Sequence, residues 1–499
     1  MYKKTVSLFL ILITLSCTQQ EIKEPGEQIL VNIDNKVTIS LNEFLRRAEY
    51  TIRPPYARDN SYLTKKVILN SLIAEKLFAL EAGEDNDFLK QEEIQLFIKG
   101  RREQAMRQYM HYLEATELVR IDTAEIKKYY PYAGREYDIS YFVIPDSLQS
   151  ANKEILKKTP DFKSLYQQVY GDTSAPKRKV TFHNSENQVV LDALYGQDVK
   201  KNQVLQPMRI ENGMLYMKVL GWKNTMAITE NQVLERSKKI KEALTMNKSS
   251  VIWNKKVAEI MKGKTVSFDE STFWEITQIF YELYFSTQEK KIESIQEKIW
   301  DIEKDPEQAF QSLEDRSILN KPLLTIDGQT WTVADFRKEL IRHPLVYRDR
   351  RMPARSFAKE LRLAIADLIR DKYVTEEAYK KGYDKVNIVQ RNERMWKDAL
   401  VSVYERDKYL KSVNEKRDAG KNYISIIGDH LNSFVDSLQV KYYKKIELDF
   451  DAFENITLST IDLYTSQRNQ PFQQVVPMFP ILTTDHMIEY VTKMKKEQN

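Results

Sequence analysis

The sequence predicts an α+β protein that is mainly helical, and three observations lead to this prediction. Apolar residues recur at helical spacing over long stretches, whereas the alternation typical of strands occurs only in short runs. One ordered set of elements occurs twice, beginning at residues 31–35 and again at residues 324–328. The first copy also contains residues 121–222, where strand and helix signals alternate. We therefore expect two related helical domains, the first interrupted by a smaller α/β domain.

The first copy begins with a strand and continues with helices. Ile29–Ile33 alternates apolar and polar residues, and Asp34 with Asn35 is a turn signal. Ser40 is placed to cap the next helix, with Glu43 as its capping-box partner. The apolar stripe of the longer helix that follows consists of Leu69, Ile73, Leu77 and Leu80.

The second copy repeats this order. Thr332 can cap its first helix with Asp335 as partner. The closing segments also correspond, because residues 266–269 and residues 446–449 share one pattern and a phenylalanine follows each. We expect each closing strand to pair near the start of its own copy. The stripe of the second copy's long helix is Leu361, Ile365, Ile369 and Tyr373.

Composition excludes several classes of protein. The 77 lysines and arginines nearly balance 72 aspartates and glutamates, so the net charge of +5 is small and no nucleic-acid partner is expected. The chain has only 13 glycines, and no glycine-rich nucleotide-binding motif occurs. The five histidines show no i, i+4 pair and there is one cysteine, so we predict no metal and no cofactor.

The amino terminus predicts a membrane anchor. Lys3 and Lys4 precede a short apolar run, residues 6–15, which is too brief to span a bilayer and leads to Ser16 and Cys17. This segment resembles a bacterial lipoprotein signal, which implies that Cys17 is lipidated and that the protein is held at a membrane in the periplasm. The outer membrane is favoured. An ordinary signal peptide, or a non-cleaved anchor with an incidental cysteine, is the alternative.

Two stretches carry a resemblance to a known family. Residues 72–76 lie in a helix ending at Glu81 and Ala82, and residues 121–130 lead through a capped helix into a strand. This order is similar to periplasmic chaperones of the SurA and PrsA type. In that family a helical, peptide-cradling domain is interrupted by a parvulin-like (PpiC-type) prolyl isomerase domain.

The resemblance implies a division of the chain into seven parts. They are a signal peptide (1–17), a tether (18–27), a split SurA-N-like helical domain (28–120 plus 223–276), a parvulin-like domain (121–222), a helical connector (277–318), a second SurA-N-like domain without insert (319–456) and a C-terminal extension (457–499).

The inserted domain lacks the catalytic residues that the resemblance leads one to expect. Working parvulins have a histidine on the first strand and another on the last strand, and these positions hold Tyr141 and Leu215 in this chain. His183 lies at neither position and is interpreted as a surface or turn residue. We therefore predict no catalytic residue, and an isomerase-like domain that is inactive.

The predicted function is that of an ATP-independent holdase, which binds unfolded or nascent outer-membrane or secreted polypeptides and delays their aggregation. One alternative is an active peptidyl-prolyl cis-trans isomerase, and another is a structural subunit of an outer-membrane assembly. The extension that includes Pro477 and Pro480 either docks on its own domain, which we favour, or is offered to a partner. The oligomeric state stays open. Candidate client-binding aromatics are Tyr50, Tyr56, Tyr62, Tyr109 and Tyr112.

Overall fold

The computed structural model describes most of the chain and confirms a mainly helical α+β protein. The described residues are 27–149, 161–172, 174–184, 187–210, 213–290, 316–348, 352–413, 423–459 and 475–494. The predicted signal and the lipidated Cys17 lie outside them. Within these ranges, no helix has both the length and the apolar character needed to cross a membrane.

Eleven strands among the described residues form three sheets, with strand orders β11-β10-β1-β2, β4-β3-β6-β5 and β7-β8-β9. The strands are β1 (Ile29–Ile33), β2 (Val37–Ser40), β3 (Arg135–Pro145), β4 (Lys177–Val180), β5 (Met208–Ile210), β6 (Gly213–Asn224), β7 (Val266–Phe268), β8 (Pro322–Ile326), β9 (Gln329–Thr332), β10 (Ile446–Leu448) and β11 (Thr492–Lys493).

The helices connect and cover these sheets. They are α1 (Leu41–Glu49), α2 (Tyr62–Ala82), α3 (Glu92–His111), α4 (Thr123–Tyr129), α5 (Asp146–Gln149), α6 (Phe162–Tyr170), α7 (Gln188–Tyr195), α8 (Glu230–Met261), α9 (Glu270–Lys290), α10 (Arg316–Leu319), α11 (Val333–Arg342), α12 (Phe357–Lys380), α13 (Asn387–Ser412), α14 (Tyr423–Ile426), α15 (Asn432–Lys441) and α16 (Phe450–Glu454).

The two copies open with the same hairpin. β1 pairs with β2 and β8 pairs with β9, both antiparallel. Asp34 and Asn35 have φ values of 52° and 53°, and Asp327 and Gly328 have 48° and 83°. Two successive positive φ angles characterise the two-residue turn whose twist matches that of the strands it joins. The turn signal is confirmed, and the second strand of each hairpin is an element that the sequence analysis missed.

The helix caps are confirmed in part. Ser40 accepts a hydrogen bond from the Glu43 backbone N–H, and Thr332 forms a complete capping box with Asp335. The capping box predicted for Ser40 and Glu43 is wrong, because the Glu43 carboxylate lies 2.7 Å from Lys76 Nζ instead. A buried ammonium group needs its counter-charge more than a helix start that Ser40 already caps needs a second cap.

The expectation that each closing strand pairs within its own copy is wrong. β10, from the second copy, pairs antiparallel with β1, with Asn32 opposite Glu447. β7, which follows the insert, pairs antiparallel with β8, with Ser267 opposite Thr325. The two closing strands are therefore exchanged. Local sequence is compatible with either pairing, because both hairpins offer similar edges and both closing strands have the same pattern.

The cores follow the exchanged strands and define two lobes. The first lobe packs α1 and α2 against residues 426–458 and the C-terminal segment, and the second lobe packs α9 against α11 and α12. The third helix of each copy also crosses over, since α3 packs against α11 and α12 whereas α13 packs against α2. The first lobe is built from both ends of the chain, whereas the core of the second lobe lies within residues 260–373.

The inserted domain meets the helical body through its two chain connections and through helix α8. Thr225 N donates a 2.9 Å hydrogen bond to Gly134 O, so the chain enters and leaves the insert side by side. The 32-residue helix α8 then packs Ile240 and Leu244 against the insert and Trp253 against α3. With about 1.5 Å of rise per residue, this helix carries the chain from the insert to the second lobe.

Gly100 provides a test of the contact between α3 and the second lobe. A Cβ atom at this buried position would collide with the backbone carbonyl of Arg342, which cannot move aside as a flexible side chain would. We expect Gly100→Ala to destabilise the protein by about 1–3 kcal/mol, although alanine favours helices. Gly428, where an added Cβ meets nothing within 4 Å, is the matched control.

Chemical denaturation measures both variants. Gly428→Ala should leave stability unchanged or raise it by up to about 1 kcal/mol. Equal stability of Gly100→Ala and the wild type would contradict the close packing of α3 on α11.

Candidate active site and peptide-binding groove

The insert places the two predicted active-site positions on one face of its sheet. Tyr141 lies opposite Met217 and Val143 lies opposite Leu215 in the antiparallel pairing of β3 with β6. Residues opposite each other, and residues two apart on one strand, point to the same side of a sheet. Tyr141 and Leu215 are therefore diagonal neighbours on adjacent strands.

The surroundings of this face are apolar. Leu215 and Met217 are buried, while Tyr141 and Val143 are half-buried against the same core as Met208. The guanidinium group of Arg178 lies 5.5 Å from the centre of the Tyr141 ring. Such a face can hold an apolar side chain, but it lacks the imidazole groups that the resemblance associates with catalysis.

None of the five histidines lies on this sheet. His183 is exposed on a 3₁₀ turn that follows β4, as its interpretation as a turn residue predicts. Val180, the last residue of β4, pairs with Tyr137, whereas Lys177 pairs with Ser140 next to Tyr141. His183 therefore lies beyond the end of β4 that is remote from Tyr141.

A buried polar cluster joins α3 to the second lobe. Glu103 accepts hydrogen bonds from Arg342 Nη2 at 2.6 and 2.7 Å and from the Tyr379 hydroxyl at 3.0 Å. His343 Nε2 lies 3.0 Å from Glu103 Oε2, and Arg107 donates to Thr375 at 2.8 Å. These contacts offset the cost of burying charge between helices that come from different copies.

The candidate aromatics lie in three separate places. Tyr50 packs with Met395, Trp396 and Val476. Tyr56 and Tyr62 lie on the first lobe, where the Tyr62 ring centre is 6.0 Å from that of Phe453. Tyr109 and Tyr112 lie near α8, at the end of α3 and in the π turn that follows it, and only Tyr112 of this pair is exposed. The structure does not bring the five residues into one groove.

A groove on the first lobe does hold an extended polypeptide, namely residues 475–494 of this chain, which we call the strap. The strap docks on the chain itself, but its partners include α1 and α2 of the first copy and not only the second helical domain that precedes it. Phe479, Ile481, Leu482 and Ile488 are buried in the first-lobe core. Among the described strap residues, the only internal backbone hydrogen bond runs from Val491 N to Ile488 O. Two more strap N–H groups donate to strap side chains, Asp485 N to Thr483 Oγ1 at 3.0 Å and Met487 N to Asp485 Oδ1 at 2.9 Å. The strap therefore has little secondary structure of its own and is held mainly by the groove.

Buried polar side chains of α1 and α2 bind the strap through its carbonyl oxygens. Arg47 Nη2 donates to Met478 O at 2.7 Å and is also paired with Glu75. Asn70 Nδ2 donates to Asp485 O at 3.0 Å and to Met487 O at 2.9 Å. With the strap in place both donor residues have 0% exposure, so the strap carbonyl groups serve as acceptors where water is excluded.

The sequence analysis missed Arg47 and Asn70 as functional candidates. A signal was present in Asn70 and Ser71, a polar pair in the middle of the otherwise apolar helix α2. The apolar stripe of α2 predicts helix packing, but it does not indicate a binding partner for a buried amide.

Comparisons with known proteins give weak neighbours. No family model and no curated protein matches the chain. A crystal structure of peptidylprolyl isomerase PrsA from Bacillus anthracis is similar at 13% identity and a TM-score of 0.19, over 38% of this chain and 96% of that one. PrsA from Bacillus cereus is similar at 13% identity and a TM-score of 0.18, over 46% and 93%.

His343 gives the contact between α3 and the second lobe a pH dependence. Burial is the main cause that lowers its pKa from 6.5 to about 4; Glu103 opposes the shift, and Arg107 and Arg342 add to it. Below about pH 6.5 His343 is therefore protonated in the unfolded chain, whereas in the native state it becomes protonated only near pH 4. Stability should fall by about 3 kcal/mol over this window because of His343.

We expect His343→Gln to flatten the stability profile between pH 6.5 and pH 4, since it removes the titrating group. Denaturant unfolding at several pH values measures the profile, and circular dichroism at pH 8 checks that the variant is folded. A stability profile of the variant as steep as that of the wild type would contradict the assignment of this pH dependence to His343.

Proposed function

We propose that the chain is a periplasmic, ATP-independent chaperone of the holdase type, with an isomerase-like domain that binds polypeptide without catalysing prolyl isomerisation. The observation that carries the proposal is the face of the insert sheet around Tyr141 and Leu215. Tyr141 and Val143 give it a half-buried apolar part where the resemblance places a proline-binding site, and it has no histidine. Its clients would be unfolded or nascent outer-membrane or secreted polypeptides.

Apolar side chains at the junction of the insert and the helical body support the binding role. Met226, Ile228 and Leu234 are 70%, 81% and 61% exposed where the chain leaves the insert sheet and enters α8. A soluble surface carries single exposed apolar residues routinely, whereas several close along the chain favour contact with an apolar partner. These residues extend the apolar surface available to an unfolded client.

The proposed location is the periplasmic side of a membrane, with Cys17 as the lipidated anchor and the outer membrane favoured. The proposal rests on the apolar run and cysteine at the amino terminus. An anchor at this point would leave residues after the tether free to meet clients in the periplasm.

Suppression of aggregation tests the proposed function. The full chain should reduce light scattering by a denatured β-barrel protein without nucleotide, and it should not accelerate isomerisation of a proline peptide. Tyr141→Asp should weaken client binding by about tenfold, because a charge replaces an aromatic contact. Leu148→Asp, at an exposed apolar residue of α5, is the matched control.

Two preparations complete the experiment, one with Cys17 and one with Cys17→Ser, and only the first should partition with membranes. Accelerated isomerisation would favour the enzyme instead. Recovery of one stoichiometric partner without any suppression would favour a structural subunit.

A further inference from the structure

We propose that the first-lobe groove is a binding site for extended, proline-containing polypeptide segments, and that the strap occupies it as an internal stand-in for a client. The proposal rests on the proposed function and names the mode of recognition: the groove reads main-chain carbonyl groups. The strap would thus be an autoinhibitory segment that a client replaces.

Recognition through carbonyl groups suits a chaperone because every polypeptide offers them. Arg47 and Asn70 together contact three strap carbonyl groups, those of Met478, Asp485 and Met487. These hydrogen bonds do not depend on the identity of the strap side chains. A client in the same extended conformation would present acceptors to the same donors.

Proline is compatible with this mode of binding. The strap contains Pro477 and Pro480, both buried, on either side of Met478, whose carbonyl accepts from Arg47. A proline has no N–H and cannot join a regular β-ladder as a donor, but it leaves neighbouring carbonyl groups available. A groove that supplies donors therefore accepts segments that a sheet edge would reject.

The strap takes up the hydrogen-bonding capacity of Asn70. Asn70 uses its amide nitrogen for Asp485 O and Met487 O, and its oxygen accepts from Gln439 and from Tyr490 Oη. A client that replaces the strap would offer carbonyl acceptors to the same amide hydrogens, so the exchange would cost no hydrogen bond at Asn70.

The second copy shows that the donors are not needed for the fold. Aligned from Ser40 and Thr332, Arg47 corresponds to Glu339, which lacks donors. Aligned from Leu72 and Leu368, Asn70 and Ser71 correspond to Ala366 and Asp367. Ala366 is exposed, and Asp367 pairs with Arg348 at 2.8 Å. The same helical framework therefore forms without the groove donors, which favours a role in binding for those of the first copy.

The strap should act as an intramolecular competitor. A tethered segment has an effective concentration on the order of millimolar, so free peptides bind poorly until the strap is displaced or weakened. Phe479 is the side chain to change, because it is 4% exposed and lies in the first-lobe core. Phe479→Asp should loosen the strap while the groove donors stay intact.

The test uses the full chain and a fluorescent synthetic peptide with the sequence of residues 475–490. Anisotropy should show at least roughly tenfold tighter binding to Phe479→Asp than to the wild type. Adding Asn70→Ala to Phe479→Asp should remove that gain, whereas adding Asp367→Ala, at the position of the second copy that corresponds to Ser71, should preserve it. A folded Phe479→Asp variant with no gain would overturn the proposal.

If Phe479→Asp does not fold, hydrogen exchange on the wild type tests whether a client displaces the strap. Saturating denatured β-barrel client should raise exchange at amides of residues 475–494. If the chain suppresses aggregation while hydrogen exchange of the strap amides stays unchanged, the groove proposal is overturned and the chaperone function is retained. Loss of suppression altogether would instead remove the function on which the proposal rests. A dimer in which each chain places its strap in the groove of the other copy would also overturn the groove proposal. Light scattering would detect this dimer as a doubled molar mass.

Discussion

The exchanged pairing of the closing strands is the constraint on which the rest of the structure depends. Asn32 and Glu447 are hydrogen-bonded neighbours although 415 positions separate them in sequence. Because β10 completes the first hairpin, the first lobe needs both ends of the chain before its core is closed, whereas the core of the second lobe lies within residues 260–373. Contacts of such sequence separation slow folding, since the loop must be ordered before the contact stabilises it.

The same crossing explains where charge is buried. Lys76 of α2 lies 2.7 Å from Glu43 and 2.9 Å from Asp398 of α13, and Glu103 of α3 lies among groups of the second lobe. Both clusters sit where a third helix crosses to the other copy. Desolvation offsets most of the attraction in buried ion pairs of this kind, whereas separating the partners would leave an unpaired buried charge at high cost. These ion pairs therefore favour the arrangement in which each third helix packs on the other copy over one in which it packs on its own.

Local features could be predicted from the sequence and long-range ones could not. The turn at Asp34, the cap at Thr332 and the apolar stripes of α2 and α12 each depend on residues within a few positions of one another. The strand exchange depends on a choice between two hairpins with similar edges, which no local pattern decides. At the candidate site, Tyr141 and Leu215 were singled out only by the resemblance to parvulins. The role of Asn70 depends on a segment more than 400 residues away and could not be predicted.

Cross-linking tests the exchange most directly, because residues opposite each other in antiparallel strands have Cα spacings that suit a disulfide. With Cys17 replaced by serine, Asn32→Cys with Glu447→Cys should oxidise to an intramolecular disulfide, detected by mass spectrometry of the linked peptides. Asn32→Cys with Ser267→Cys, the pair expected if each strand closed its own copy, should stay reduced. The opposite pattern would contradict the exchanged architecture.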